Sequence, residues 1–101
     1  MARPVDCRPG GYYAFRISVD LDGVAVRLRF RWLPAITRWT MIVETPAGEA
    51  LTAWSVAQPG AQVLIDVSSP ARPPGTLRWE GRETTEAADL GEGLRLIWTP
   101  Q

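Results

Sequence analysis

The chain has 101 residues, eleven basic and eleven acidic, with a formal net charge of zero and no histidine. That length points to one domain, and the balanced charge argues against a protein that gathers polyanions by bulk attraction. The absence of histidine removes the commonest general base, the commonest metal ligand and the ordinary physiological pH switch.

All eleven basic residues are arginine, the side chain suited to planar, bidentate contacts. A single cysteine, Cys7, precludes an internal disulfide, and its usual catalytic partner is missing, so it reads as a tolerated thiol in a tail. The opening MARPVDCRPG has no apolar core of the kind a secretory signal needs. No run approaches the ~18 apolar residues of a membrane span. The expected setting is a reducing cytoplasm, with no membrane contact.

Residues 1–11, rich in Pro and Gly, are expected to be a flexible leader, and 12–101 a single β domain. From Tyr12 to Val19 the chain alternates, with Tyr13, Phe15, Ile17 and Val19 on one face and Arg16 and Ser18 on the other. Asp22-Gly23 follows, a hairpin signal because glycine accepts the positive φ of a type I′ turn. The next strand, Val24 to Trp32, places Val24, Val26, Leu28, Phe30 and Trp32 on one face, opposite Arg27, Arg29 and Arg31. Pro34 ends it. Thr37 to Thr45 alternates again, Trp39, Met41 and Val43 against Arg38, Thr40 and Glu44.

After the turn at Pro46-Ala47-Gly48, Ala50 to Val56 reads as a weaker strand carrying Leu51 and Trp54. Val63 to Val67 is a short β-rich run, and the prolines of 68–75 make that segment a loop. Leu77 to Glu80 is a brief strand, Arg82 to Asp89 a polar loop, and Gly93 to Thr99 a closing strand with Leu94, Leu96 and Trp98 on one side. No window carries a helical stripe. The pattern predicts an all-β fold, a small antiparallel sandwich or barrel of about six or seven strands, with an aromatic core, four of the five tryptophans lying on inferred core faces.

Catalytic chemistry finds no foothold. Asp20 and Asp22 lack the further ligands of a calcium loop and read as turn formers. Glu83, Glu86, Asp89 and Glu92 lie on one polar segment, whereas glycoside hydrolysis needs two carboxylates fixed in a cleft. The serines and threonines have neither histidine nor lysine to activate them. No phosphate loop, dinucleotide fingerprint or nucleophile elbow is present. The expectation is a protein that is not an enzyme and needs no cofactor or metal.

The arginine face remains. A two-residue loop at Asp22-Gly23 would set Phe15 opposite Phe30, Ile17 opposite Leu28, and Arg16 opposite Arg29; a four-residue loop would set Arg16 opposite Arg27. Either way like charges face each other, which is destabilising unless a carboxylate intervenes. Arg16, Arg27, Arg29 and Arg31 are therefore the candidate protein-interface residues. Three explanations compete. Glu44 or another internal carboxylate completes a charge ladder; a partner protein supplies the acid; or the patch grips nucleic acid. The last ranks third, because the aromatics that would stack on bases point into the core.

The order of motifs resembles a family of small contractile-tail proteins, the cyanophage baseplate plug family. The resemblance is carried by Leu21-Asp22-Gly23 feeding an arginine-alternating strand that ends in Trp32, and by Thr37-Arg38-Trp39 at the start of the third strand. It continues in Pro59-Gly60 before Val63-Leu64, and in Asp89-Leu90-Gly91 before Leu94-Arg95-Leu96-Ile97-Trp98. These motifs span Tyr13 to Trp98. The family tends to have an acidic turn after the third strand, where this chain has Thr45-Pro46-Ala47-Gly48.

The resemblance implies a structural component of a phage or prophage tail baseplate, in the virion and assembled from the host cytoplasm. It would pack near the hub and distal tube as a homo-oligomer among other baseplate and tail proteins. The alternative is a small β-barrel binding module for nucleic acid or a peptide. In the closing motif Gly91 is expected to take a conformation closed to other residues, with Leu90 anchoring the loop.

Overall fold

A computed structural model describes residues 2–64, 67, 69–83 and 86–101. The fold is all-β, two antiparallel sheets sharing one core, in agreement with the sequence pattern. The strands are β1 (Arg3–Val5), β2 (Ala14–Leu21), β3 (Val24–Leu33), β4 (Arg38–Glu44), β5 (Ser55–Val56), β6 (Gly75–Gly81) and β7 (Leu94–Pro100). One sheet runs β2-β3-β4-β5 and the other β1-β7-β6.

The hairpin takes the two-residue register, with Phe15 against Phe30, Ile17 against Leu28 and Arg16 against Arg29. Asp22 and Gly23 have φ of 55° and 89°, the pair of positive values that a type I′ turn requires. Asp20 Oδ1 accepts the Gly23 N–H at 2.7 Å and closes the turn. Because side chains alternate, this register sends Phe15, Ile17, Val19 and Leu21 of β2 and Val24, Val26, Leu28, Phe30 and Trp32 of β3 inward together. There Phe15 stacks on Phe30 at 4.7 Å and meets Trp39 edge-on at 5.5 Å, while Trp32 meets Trp39 at 5.6 Å. Pairs of this geometry add about 0.5–1.5 kcal/mol beyond their buried area.

Trp39, Trp79 and Trp98 are fully buried, and Trp54 lies outside the core, 42% exposed. Two of the buried indoles tie distant parts of the chain together. Trp98 Nε1 donates to Asp22 Oδ2 at 2.9 Å, fastening the last strand of one sheet to the hairpin turn of the other. Trp39 Nε1 donates to the Ala87 carbonyl at 3.0 Å, holding a 3₁₀ turn, Ala87–Asp89, against the core. Leu90 is buried next to it and Gly91 has φ of 84°, so the loop before the last strand is built as the sequence suggests. The Trp79 indole N–H is buried with no partner among the described residues.

Three departures have physical causes. Residues 1–11 were expected to be a flexible leader, but Arg3–Val5 forms an edge strand on β7, and Val5 and Cys7 enter the core. Pro4 is tolerated there because an edge strand has one side without ladder bonds. Cys7 is therefore not a tail thiol. Burial pushes its pKa up to about 12, only partly offset by a hydrogen bond with the Leu96 backbone, and nearby Asp6 raises it further. A thiol so disposed is inert.

Second, Ala50–Val56 is strand only at Ser55–Val56. The Thr52 hydroxyl accepts the Val43 N–H at 3.1 Å, so a side chain replaces the ladder bond and the segment arches outward. Third, the Val63–Val67 run makes its sheet contact through a bridge from Gln62 to Arg78; its Ile65 and Asp66 lie outside the described residues.

The two indoles with opposite hydrogen-bond status give a comparison. Trp98→Phe and Trp79→Phe remove similar side-chain volume, but only the first removes an indole hydrogen bond, the one to Asp22. Trp98→Phe should be the more destabilising by about 0.5–1.5 kcal/mol in urea unfolding, and an equal or larger loss for Trp79→Phe would contradict this reading of the core.

Candidate interface: the arginine face

The outer face of the four-stranded sheet carries the four arginines of the sequence pattern, and the structure divides them. β4 pairs with β3 so that Glu44 stands directly opposite Arg27 and one step diagonal from Arg29. Arg27 Nε donates to Glu44 Oε1 at 3.0 Å and Arg29 Nη1 to Oε2 at 3.3 Å. Each carboxylate oxygen is thus bound by a different guanidinium, and Glu44 is itself buried at 5% exposure. Burial opposes ionisation of Glu44, but the hydrogen bonds and charges of Arg27 and Arg29 outweigh it and hold the carboxyl below its ordinary value.

Arg16 and Arg31 receive no such partner. Arg16 sits opposite Arg29 in a register position where the two residues do not share backbone bonds; side chains are closest in such pairs. Arg29 leans the other way, towards Glu44, and Arg16 makes no ion pair among the described residues. Arg31 is opposite Thr40, whose hydroxyl donates to the Arg31 carbonyl at 3.0 Å, and its guanidinium likewise forms no ion pair among the described residues. The internal ladder is therefore half complete, with two arginines satisfied by Glu44 and two left on the surface.

The arch after β4 adds what periodicity could not foresee. Trp54 projects over Arg29, whose guanidinium carbon lies 5.6 Å from the ring centroid, within cation–π range. A shallow groove results, lined by Arg16, Arg27, Arg29, Arg31 and Trp54. The aromatics of β2 and β3 point inward as expected, so Trp54 is the aromatic side chain on this groove's rim. The signal for it in the sequence was only a tryptophan in a weakly alternating segment.

The acidic segment does not assemble into a second site. Glu83 pairs with Arg38 at 3.1 Å and Asp89 with Arg82 at 3.5 Å. Asp22 holds Trp98 and lies 3.7 Å from Arg3. No group of three or more potential metal ligands occurs among the described residues, and no helix among them is long and apolar enough to cross a membrane. No family model, curated protein or solved structure matches the chain.

The Glu44 clamp makes stability pH-dependent with a definite sign. A carboxyl whose folded pKa lies below the ordinary 4.5 contributes stability that is fully present above that value. The contribution is lost as pH falls through the folded pKa. Glu44→Gln should lower the unfolding temperature at pH 7 and flatten its decline below pH ~4.5, as read by thermal melts across that range. A variant that retains the full acid-dependent decline would contradict the clamp.

Proposed function

We propose that the protein is a structural component of a phage or prophage tail baseplate, packing near the hub and distal tube through protein–protein contacts. The reading joins two supports. One is the order of motifs, from Leu21-Asp22-Gly23 to Trp98, that resembles the baseplate plug family. The other, which carries it physically, is the pair of exposed arginines flanking an internally neutralised one. Arg16 and Arg31 stand on the sheet beside Arg29, one across the hairpin and one two residues along β3, and the Glu44 clamp holds Arg29 itself. Fixed guanidinium groups make short, directional bonds to carboxylates, which set register between subunits more than they add raw affinity.

Trp54 is the one observation that favours nucleic acid, since a ring beside arginines is a place for a base to stack. A single ring on a protein of zero net charge is a meagre platform for a strand, so this reading ranks second. The protein acts in either case by binding, not by catalysis.

Arg31→Glu separates fold from assembly, because Arg31 makes no ion pair among the described residues that the change would break. The variant should keep the unfolding temperature of the unaltered chain. Mass spectrometry of purified tails from the strain that carries the gene should find the unaltered chain at fixed stoichiometry with baseplate subunits, and the variant depleted. A chain absent from tails, or one that binds single-stranded DNA at low micromolar affinity with a steep salt dependence, would overturn the proposal.

A further inference from the structure

β2 is the outermost strand of its sheet, and it lacks several of the usual protections of an edge. It is eight residues long, contains no proline, and pairs with β3 without a bulge along its whole length. Natural sheets blunt such edges with short strands, prolines, bulges or inward charges. The Trp32 N–H donates to the Tyr13 carbonyl at 2.8 Å. By the alternation of an antiparallel ladder, the odd residues of β2 turn their backbone groups to β3 and the even ones turn theirs outward. The open edge therefore offers the N–H and C=O of Ala14, Arg16, Ser18 and Asp20. Of these, the Asp20 carbonyl is met by a side chain, Arg3 Nη2 at 3.2 Å, and one lone pair remains free.

The inner face of this strand is also unfinished. Phe15, Ile17 and Val19 pack against the core but remain only half-buried, while their counterparts Phe30, Leu28 and Val26 on β3 are almost fully buried. The outer face carries Arg16, Ser18 and Asp20, all exposed. This triplet is self-complementary when read backwards, basic–polar–acidic against acidic–polar–basic.

We propose that β2 pairs edge to edge with β2 of a second copy, antiparallel about a two-fold axis at Ser18, so that each Arg16 faces the partner's Asp20. The axis stands perpendicular to the sheet. Ser18 faces Ser18 of the partner, and the two Arg16–Asp20 positions flank it, each facing pair exchanging both backbone bonds. On the inner face each Ile17 faces the partner's Val19, which covers these half-buried side chains, while Phe15 lies at the position facing Leu21, already buried in its own core.

Other registers are worse. An axis at Arg16 sets two arginines against each other, and an axis at Ile17 sets Arg16 against serine. Within the strand only the Ser18 axis gives Arg16 a directly facing carboxylate and relieves the repulsion from Arg29, since an axis at Val19 would set it against Asp22, a turn residue already bonded to Trp98. The two four-stranded sheets become one continuous sheet, with both arginine grooves on the same side. The inference stands whether or not the chain belongs to a tail.

Light scattering coupled to size exclusion tests it on the full chain, whose monomer mass is 11.2 kDa. The unaltered protein should move to twice that mass as concentration rises. Ser18→Pro should stay monomeric and folded by circular dichroism, because the lost N–H faces the open edge, while Ser18→Thr should still dimerise. Arg16→Asp and Asp20→Arg should each be monomeric alone, yet associate with each other when mixed, since both facing positions then carry opposite charges. If Asp20→Arg loses its fold through the missing turn bond to Gly23, the Ser18 pair of variants decides alone. A mass that stays at the monomer value up to about 1 mM, or a dimer that survives Ser18→Pro, would overturn the proposal.

Discussion

The register of the β2–β3 hairpin governs the molecule. Two residues, Asp22 and Gly23, adopt the positive φ values of a tight turn, and with that turn the facing pairs of both strands are decided. One consequence is favourable, because Phe15, Ile17, Leu28 and Phe30 fall together on the inner face and begin the aromatic core. The other is a cost. Arg16 is set against Arg29 on the outer face. A slip of one residue would remove the conflict but would turn the apolar row to water, so hydrophobic burial wins and the charges must be accommodated in place.

Accommodation comes from the far side of β3. β4 delivers Glu44 between Arg27 and Arg29, and the buried carboxylate draws Arg29 away from Arg16. A buried acid of this kind is costly to desolvate and is retained only with close, hydrogen-bonded partners; here each oxygen has one. The clamp works on one flank only. On the other flank β2 is an edge, so nothing within the described chain supplies Arg16 with a carboxylate. A repulsion that is solved internally on one side and left open on the other is a natural basis for assembly, whether the acid comes from a second copy or from a different subunit.

The sequence made β2, β3, β6 and β7 readable because each turns one face to the shared core and so keeps a two-residue alternation, whereas β4 was read from Trp39, Met41 and Val43 although it is buried on both faces. It also exposed the like-charge conflict, since register follows from the length of the turn. β1 was illegible because Arg3-Pro4-Val5 is too short for a period and carries a proline, a residue that ordinarily argues against a strand. The arch around Thr52 was hidden for another reason. A hydroxyl took the place of a backbone acceptor, and that substitution leaves no periodic trace. Trp54 reached the rim of the arginine groove through that arch, so the site's one aromatic rim was legible only as a residue without a face.

The most direct measurement of the central claim is the stability of the isolated monomer when each facing arginine is neutralised in turn, at concentrations low enough to prevent association. If the register forces a conflict that Glu44 resolves for Arg29 alone, Arg16→Gln should raise the urea midpoint and Arg29→Gln should lower it. A lower midpoint for Arg16→Gln would show that Arg16 already has a stabilising partner within the chain, and would contradict the account.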